Sequence, residues 1–257
     1  MLALYDRDER RDVDEPGMRR EVADGVVRLV DVIGTRSMVA YSHLEESAAD
    51  RAIRHEAEYF GRLGHRVEWK LYAHDEPKDL QRRLVVHGFE PEDQEAIMVL
   101  DLAAVPPQLL QPPGADIRQV ADVSRLQDFL HVNNLVWPEK TASTAERLRY
   151  LLRSDPSRVS VYVAYVRGEP VSAARTHFSS KSAFASIWGG ATVPEYRGRG
   201  LYTALLAARV QEARRRGARF VTIDAGPMSR PIVEKHGFRL LTYAQAHLRE
   251  AAQPTAP

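Results

Sequence analysis

The stretch VPEYRGRGLYTALLAARVQEARRRG runs from Val193 to Gly217. It follows an apolar run that reads as a strand, SAFASIWGGATV (Ser182–Val193). It passes straight into an amphipathic helix in which Leu201, Leu205, Leu206, Val210 and Ala213 share one face. A simple turn needs one glycine, yet here Gly198 and Gly200 alternate with Arg197 and Arg199. Glycines let the backbone approach a ligand closely. The first N–H groups of a helix have no partner within it, and with the helix dipole they make a site for an anion. Arg197 and Arg199 add charge suited to phosphate.

Working outward, the segment belongs to a unit with a regular alternation of elements. DIRQV (Asp116–Val120) reads as a short strand and a helix starts at Asp122. A second helix is expected near Ser143, where Ser143 and Glu146 have capping-box spacing. Arg158–Gly168 and Pro170–Ser179 read as antiparallel strands joined by the hairpin turn VRGEP. After the helix come a strand at Arg219–Ala225, a helix from about Ser229 to His236, and a last strand from Phe238.

The N-terminal half repeats part of this order. Val26–Val32 is the first expected strand, Glu45–Gly64 a helix capped by Gly64, and His65–His74 a strand. Asp75 is placed to cap the next helix, with Pro77 in its first turn. Glu95–Ala103 is another strand. VEWKLYAHDEPKDLQRRLVVHGFE (Val67–Glu90) and FVTIDAGPMSRPIVEKHGFR (Phe220–Arg239) both read strand, turn, helix, His-Gly-Phe, which suggests an internal duplication. Ala104–Asp116 holds two Pro-Pro pairs and reads as a linker. The expected organisation is a first unit at 1–105, a linker at 106–115, a second unit at 116–250 and a disordered tail at 251–257.

Bulk properties narrow the class. The chain has 257 residues, one large domain or two small ones. It is 44% hydrophobic and 28% charged, with a formal net charge of +1, too balanced for a protein that coats nucleic acid. The absence of cysteine excludes disulfides, thiolate metal sites and cysteine nucleophiles. The charged start MLALYDRDERRDVDEPG is no secretory signal, and no apolar run is long enough to span a membrane, so the expected location is the cytoplasm. The preference for arginine over lysine reads as the composition of a GC-rich genome, and a bacterial source is expected.

In VPEYRGRGLY and in EKHGF (Glu234–Phe238) the chain resembles the GNAT superfamily of acyl-CoA-dependent N-acetyltransferases. Arg197 and Gly200 fit the family's Arg/Gln-x-x-Gly-x-Gly/Ala loop, with Tyr202 in place of the last small residue. The resemblance covers about 114–250, and the first half looks like a degenerate partner copy without the loop. It implies an α/β (α+β) fold of two tandem units, each with a mixed, mostly antiparallel central sheet flanked by helices. It further implies that acetyl-CoA is the co-substrate, with no metal. The backbone at Arg197, Gly198, Arg199, Gly200, Leu201 and Tyr202 would hold the pyrophosphate. Ala191, Thr192 and Val193 would meet the pantetheine arm and polarise the thioester carbonyl, and Met228 and Ser229 would complete the coenzyme site. Splaying of this strand from Arg219–Ala225 would make the thioester slot, opened by a bulge at Gly189–Gly190.

The resemblance implies acetyl transfer to a primary amine of a small molecule or peptide by direct attack. The family's usual tyrosine acid falls here on Val233, which has no hydroxyl. Tyr202 and Tyr243 are possible substitutes, as is water or no general acid at all. The general base is unassigned: His177 and Glu195 are candidates, but His177 reads better as a hydrogen-bonded structural histidine and Glu195 as a solvated surface carboxylate. The acceptor would be lined from Asn133–Ser143, with Trp137 and Trp188 as an aromatic wall and Glu139 and Asp224 receiving a cation. No nucleic acid or membrane partner is expected, and the chain is expected to be a monomer or homodimer. A non-catalytic acyl-CoA-binding protein competes with the enzyme. A dinucleotide enzyme is a third reading, on Gly198-x-Gly200-x-x-Thr203, but the third glycine of that fingerprint is missing.

Overall fold

The computed structural model describes residues 1–120 and 122–251. The tail expected at 251–257 therefore lies, from residue 252 on, outside the described residues. Two compact units are present: Met1–Ile97 with Leu240–Pro257, and Met98–Arg239.

The first unit opens with helix α1 (Leu2–Tyr5), which continues into a π-helical turn, Asp6–Arg11. Strands β1 (Met18–Ala23) and β2 (Val26–Asp31) form a hairpin through Asp24 and Gly25, both at positive φ, as a two-residue turn of this hand requires. Strand β3 (Arg36–Ser42), helix α2 (Ala49–Leu63), strand β4 (Arg66–Tyr72), helix α3 (Leu80–Val86) and the start of β5 (Glu90–Asp101) follow. The unit is closed by β11 (Arg239–Arg249), giving the order β1-β2-β3-β4-β11-β5. Ala49, Ala52, Ile53, Glu56 and Phe60 recur at helical spacing and form the buried face of α2, and Gly64 ends it in the left-handed conformation. That face packs with Val39, Trp69, Leu80, Leu84 and Phe89.

The second unit contains α4 (Pro107–Leu110), β6 (Asp116–Val120), α5 (Leu126–Val136) and α6 (Pro138–Ser154). Strands β7 (Val159–Val166), β8 (Glu169–Phe178) and β9 (Phe184–Thr192) then lead into α7 (Leu201–Arg215), β10 (Phe220–Ala225) and α8 (Arg230–Lys235). Its sheet runs β5-β10-β9-β8-β7-β6. Alternation along β7 sorts its side chains. Val159, Val161 and Val163 pack with Leu126, Phe129, Leu148 and Leu151 of α5 and α6. Tyr162 and Ala164 pack with Leu201 and Leu205 of α7 on the opposite face.

Four expectations change. The presumed linker is part of the second unit: Leu109 of α4 is fully buried, and Gln211 of α7 donates to the Leu109 and Gln111 carbonyls at 2.9 and 2.8 Å. The last strand lies in the first unit, where β11 pairs antiparallel with β4 from Tyr72↔Ala244 to Val67↔Arg249, while β5 takes the place beside β10. Asp75 does not cap α3, whose N-cap is Asp79; it is buried and accepts the Tyr72 N–H at 3.0 Å. Finally, Ser143 lies inside α6, because Pro138 starts that helix at a position where a missing N–H costs nothing. The expected Asn133–Ser143 loop thus shrinks to the single residue Trp137 between α5 and α6.

Candidate functional site

Strands β9 and β10 are parallel but pair only from Phe220↔Phe184 to Thr222↔Ser186. Beyond Ser186, β9 runs on to Thr192 with no strand beside it on this flank among the described residues. On its other flank the register with β8 passes from Ala173↔Ala191 to Arg175↔Trp188, so Gly189 and Gly190 form a bulge opposite Ala174. Gly189 is held at φ +60°, and an added Cβ there would lie 2.6 Å from Nη1 of Arg175. Glycine at this position gives the bulge its conformation and makes room for the arginine. The bulge turns the second half of β9 away from β10, and a slot opens between their C-terminal ends.

The free edge of that slot can be assigned. The Val193 N–H donates to the Val171 carbonyl at 3.0 Å, towards β8. Successive backbone groups point to opposite flanks of a strand, so the N–H and C=O of Thr192 face the slot. The Thr192 carbonyl accepts from Arg197 Nε at 3.1 Å, which pins the loop to the strand. Of the expected Ala191–Val193 contacts, Thr192 is the backbone donor that the slot offers, and Val193 is already engaged.

The loop supplies the second half of the site. The chain turns at Pro194–Tyr196, and Gly198 and Gly200 stand at φ +74° and +77°. An added Cβ at either meets nothing within 4 Å, so these glycines are needed for backbone conformation rather than for room in the protein itself. The first helical bond of α7 runs from Ala204 N–H to the Gly200 carbonyl, and no side chain caps the helix. Among the described residues, the N–H groups of Gly198 through Thr203 therefore meet no acceptor, at the positive end of a 15-residue helix. Arg197 and Arg199 are exposed beside them, Arg199 over the Tyr196 ring at 5.0 Å. This is a cradle for an anionic group with several oxygens.

Tyr202 is drawn under β9. An added Cβ at Gly190 would lie 2.7 Å from its Cε2, so Gly190 admits the ring. Its hydroxyl is buried beside Arg209, a residue only 1% exposed, yet neither Tyr202 Oη nor Arg209 Nη2 reaches a partner in good geometry. Burial pushes the Tyr202 phenol up and the Arg209 guanidinium down from their ordinary values. Sequence reasoning overlooked Arg209, although an arginine four residues after Leu205 on an apolar stripe is the signal for it.

Three candidates come together on the α5/α6 face of the strands. His177 pairs with Ser186, and Trp188 with Arg175. Asp224 follows Thr222, the partner of Ser186, by two residues. All three therefore share one face at the mouth of the slot. Trp188 is 37% exposed there, and the buried Thr222 Oγ1 makes no hydrogen bond. Trp137 packs against the α5/α6 core, and Glu139 is solvent-exposed. Val233 is fully buried in α8. Tyr243 lies on β11 in the first unit, its carbonyl accepting from Ala73. Glu195 and Met228 are exposed, and Ser229 Oγ donates to the Gly226 carbonyl at 3.3 Å. His236, also overlooked, lies 3.4 Å from Thr203 Oγ1 in the first turn of α7, its pKa lowered by burial. Among the described residues no group of three or more His, Cys, Asp or Glu could hold a metal ion, and no helix is long and apolar enough to cross a membrane.

Residues 126–238 match the model of the acetyltransferase (GNAT) family. No curated protein matches the chain. Among solved structures, a GCN5-related N-acetyltransferase from Kribbella flavida superposes with a TM-score of 0.71 at 17% identity, over 93% of this chain and 91% of that one. A functionally unknown conserved protein from Staphylococcus epidermidis gives 0.70 at 15%, over 94% and 97%. A tandem GNAT protein from the clavulanic acid biosynthesis pathway gives 0.60 at 14%, over 94% and 86%. At these identities the likeness is one of fold, and it extends over both units.

Proposed function

We propose that the second unit, whose residues 126–238 match the acetyltransferase (GNAT) family model, binds acetyl-CoA and transfers the acetyl group to a primary amine. The observation that supports this most directly is the junction of two features: a slot between parallel strands and, at its edge, six successive backbone donors at an uncapped helix start. A diphosphate matches the second, and an extended pantetheine arm alongside Ile187–Thr192 matches the first. A dinucleotide fingerprint would place its glycine turn directly after the strand, whereas residues 193–197 intervene between β9 and Gly198 and Thr203 stands in place of the third glycine.

In the proposed reaction the neutral amine attacks the thioester carbonyl carbon. The C–N bond forms, the C–S bond breaks, the amine loses a proton, and the departing thiolate takes one up. The Thr192 N–H is placed to polarise the carbonyl oxygen as charge develops on it. The acceptor enters on the α5/α6 face, where Asp224 favours a cation and Trp188 gives an apolar wall. His177 is the imidazole on that face and is the proposed acceptor of the amine's proton. The usual acid position is the buried, apolar Val233, so the thiolate proton comes from Tyr202 or from water. A phenol is protonated at neutral pH, and burial raises the Tyr202 pKa further.

The test is a thiol-release assay over a panel of amines, together with acetyl-CoA calorimetry. The chain has no cysteine, so the protein itself contributes no thiol signal. Binding with turnover establishes the enzyme. Binding without turnover on any amine would favour the non-catalytic acyl-CoA protein that the Val233 substitution suggests. Absence of binding would refute the loop assignment.

A further inference from the structure

The first unit contains the counterpart of the slot, and it is filled. Strands β3 and β4 are its parallel pair, in register from Arg36↔Arg66 to Val39↔Trp69 and no further. Strand β3 carries a bulge at Ala40, where the register with β2 passes from Val27↔Tyr41 to Arg28↔Val39. A helix, α2, connects the two strands as α7 connects β9 and β10. The same construction that opens the second unit therefore opens this one beyond Ala40 and Lys70.

Into that opening comes Arg10, only 1% exposed. Its Nε donates to the Ala40 carbonyl at 3.3 Å, on β3. Its Nη2 donates to both carboxylate oxygens of Asp75, just past β4, at 2.7 Å. Its guanidinium lies 3.8 Å from the Tyr72 ring centroid of β4 and 5.0 Å from that of Tyr41 of β3. Nη1 donates to Asp6 at 2.7 Å and lies 3.2 Å from His74 Nε2. His74 Nδ1 in turn lies 3.1 Å from Thr242 Oγ1 of β11, and the Tyr5 hydroxyl lies 3.3 Å from that of Tyr72. One side chain of the N-terminal segment thus bridges both diverging strands, with its donors on the Ala40 carbonyl and the Asp6 and Asp75 carboxylates and its faces on aromatic rings. The entry to α2 differs from that to α7 in a matching way. It reads His43-Leu44-Glu45-Glu46-Ser47-Ala48, with no glycine, and carries Glu45 and Glu46 where the second unit has Arg197 and Gly198.

We propose that residues 2–12 are a built-in plug of the first unit's slot, with the Arg10 guanidinium standing where the second unit admits the thioester. The chain then has one acyl-CoA site, not two. The single-site statement rests on the function proposed above, whereas the plug rests on the geometry of the first unit alone.

Two measurements on the full-length protein test it. The first is amide hydrogen exchange in Arg10→Met, with Arg10→Lys as the milder variant should the first fail to fold. Exchange is expected to rise about tenfold or more at 40–42 and 70–75, with α7 unchanged. Unchanged exchange at those amides in a folded variant would overturn the plug. The second is the acetyl-CoA stoichiometry of the wild type and of Gly200→Glu. One site per chain, abolished by Gly200→Glu, is expected. Two sites per chain in the wild type, of which one is lost and one survives in Gly200→Glu, would show the first slot to be accessible and would overturn the proposal, whereas a single site untouched by Gly200→Glu would count against the loop assignment and leave the exchange measurement to decide the plug. If acetyl-CoA does not bind at all, the loop assignment fails, and the exchange measurement still decides the plug.

Discussion

Gly200 is the residue at which conformation, charge and ligand binding can be separated. It stands at φ +77° as the N-cap of α7, with nothing within 4 Å of an added Cβ. Gly200→Ala and Gly200→Glu therefore incur the same backbone strain, about 1–2 kcal/mol for an L-residue in the left-handed region. No steric clash adds to it. The glutamate also places a negative charge at a helix N-terminus, which returns roughly 0.3–1 kcal/mol. Gly200→Glu should thus be no less stable than Gly200→Ala, with both melting a few degrees below wild type. Ligand binding should separate them. A carboxylate about 4 Å from one phosphate charge, at an effective dielectric of about 20, is disfavoured by about 4 kcal/mol, or roughly a thousandfold in affinity. Calorimetric titration with acetyl-CoA at low salt is the assay, with thermal melts as the control for folding. Gly200→Ala should retain measurable affinity and Gly200→Glu should lose it, with partial recovery at high salt as the repulsion is screened. A folded Gly200→Glu protein that binds acetyl-CoA like wild type would refute the assignment of the cradle.

Other outcomes follow from the same geometry. Gly190→Ala should destabilise the second unit by about 1–3 kcal/mol, because its Cβ meets the Tyr202 ring. Tyr202→Ala in the same chain should recover part of that loss, and additive effects in denaturant melts would deny the contact. Leu109→Ala should cost about 2–5 kcal/mol if α4 belongs to the second unit's core, whereas a linker residue would cost almost nothing. The Tyr165 phenol should titrate at about 12 rather than 10.0, through desolvation and then its 2.6 Å hydrogen bond to Asp128. A raised pKa means that this bond's stabilisation is present below the phenol's unfolded value and is lost as pH rises through the folded one. In Asp128→Asn one phenol should move back towards the ordinary value in an ultraviolet titration, and no change would sink the assignment.

Local pattern determined a good deal of this protein. The Arg/Gly loop, the helix that follows it, the hairpin strands of the second unit and the His-Gly-Phe turns were legible because each depends on neighbours in sequence. A glycine must take a positive φ, an apolar stripe must recur at helical spacing, a turn must reverse the chain. The bulge at Gly189–Gly190 was legible for the same reason. Strands β1 and β3 escaped notice because neither carries a long apolar run or a regular alternation, β1 having no buried residue, although Asp24-Gly25 signals the hairpin ahead of β2.

Only the tertiary structure decided what depends on partners far along the chain. It took β11 from the unit that precedes it in sequence and paired it with β4. It buried Leu109 and so turned a proline-rich linker into core. It brought His177, Trp188 and Asp224 to one face and set Tyr202 over Gly190 and beside Arg209. Above all, it gave Asp75 to Arg10, 65 residues away, instead of to the helix it precedes. The physical reason is common to all of these. Backbone preferences and side-chain periodicity act over a few residues, whereas strand order, desolvation and charge pairing are settled by whichever distant groups leave the fewest buried polar atoms without partners.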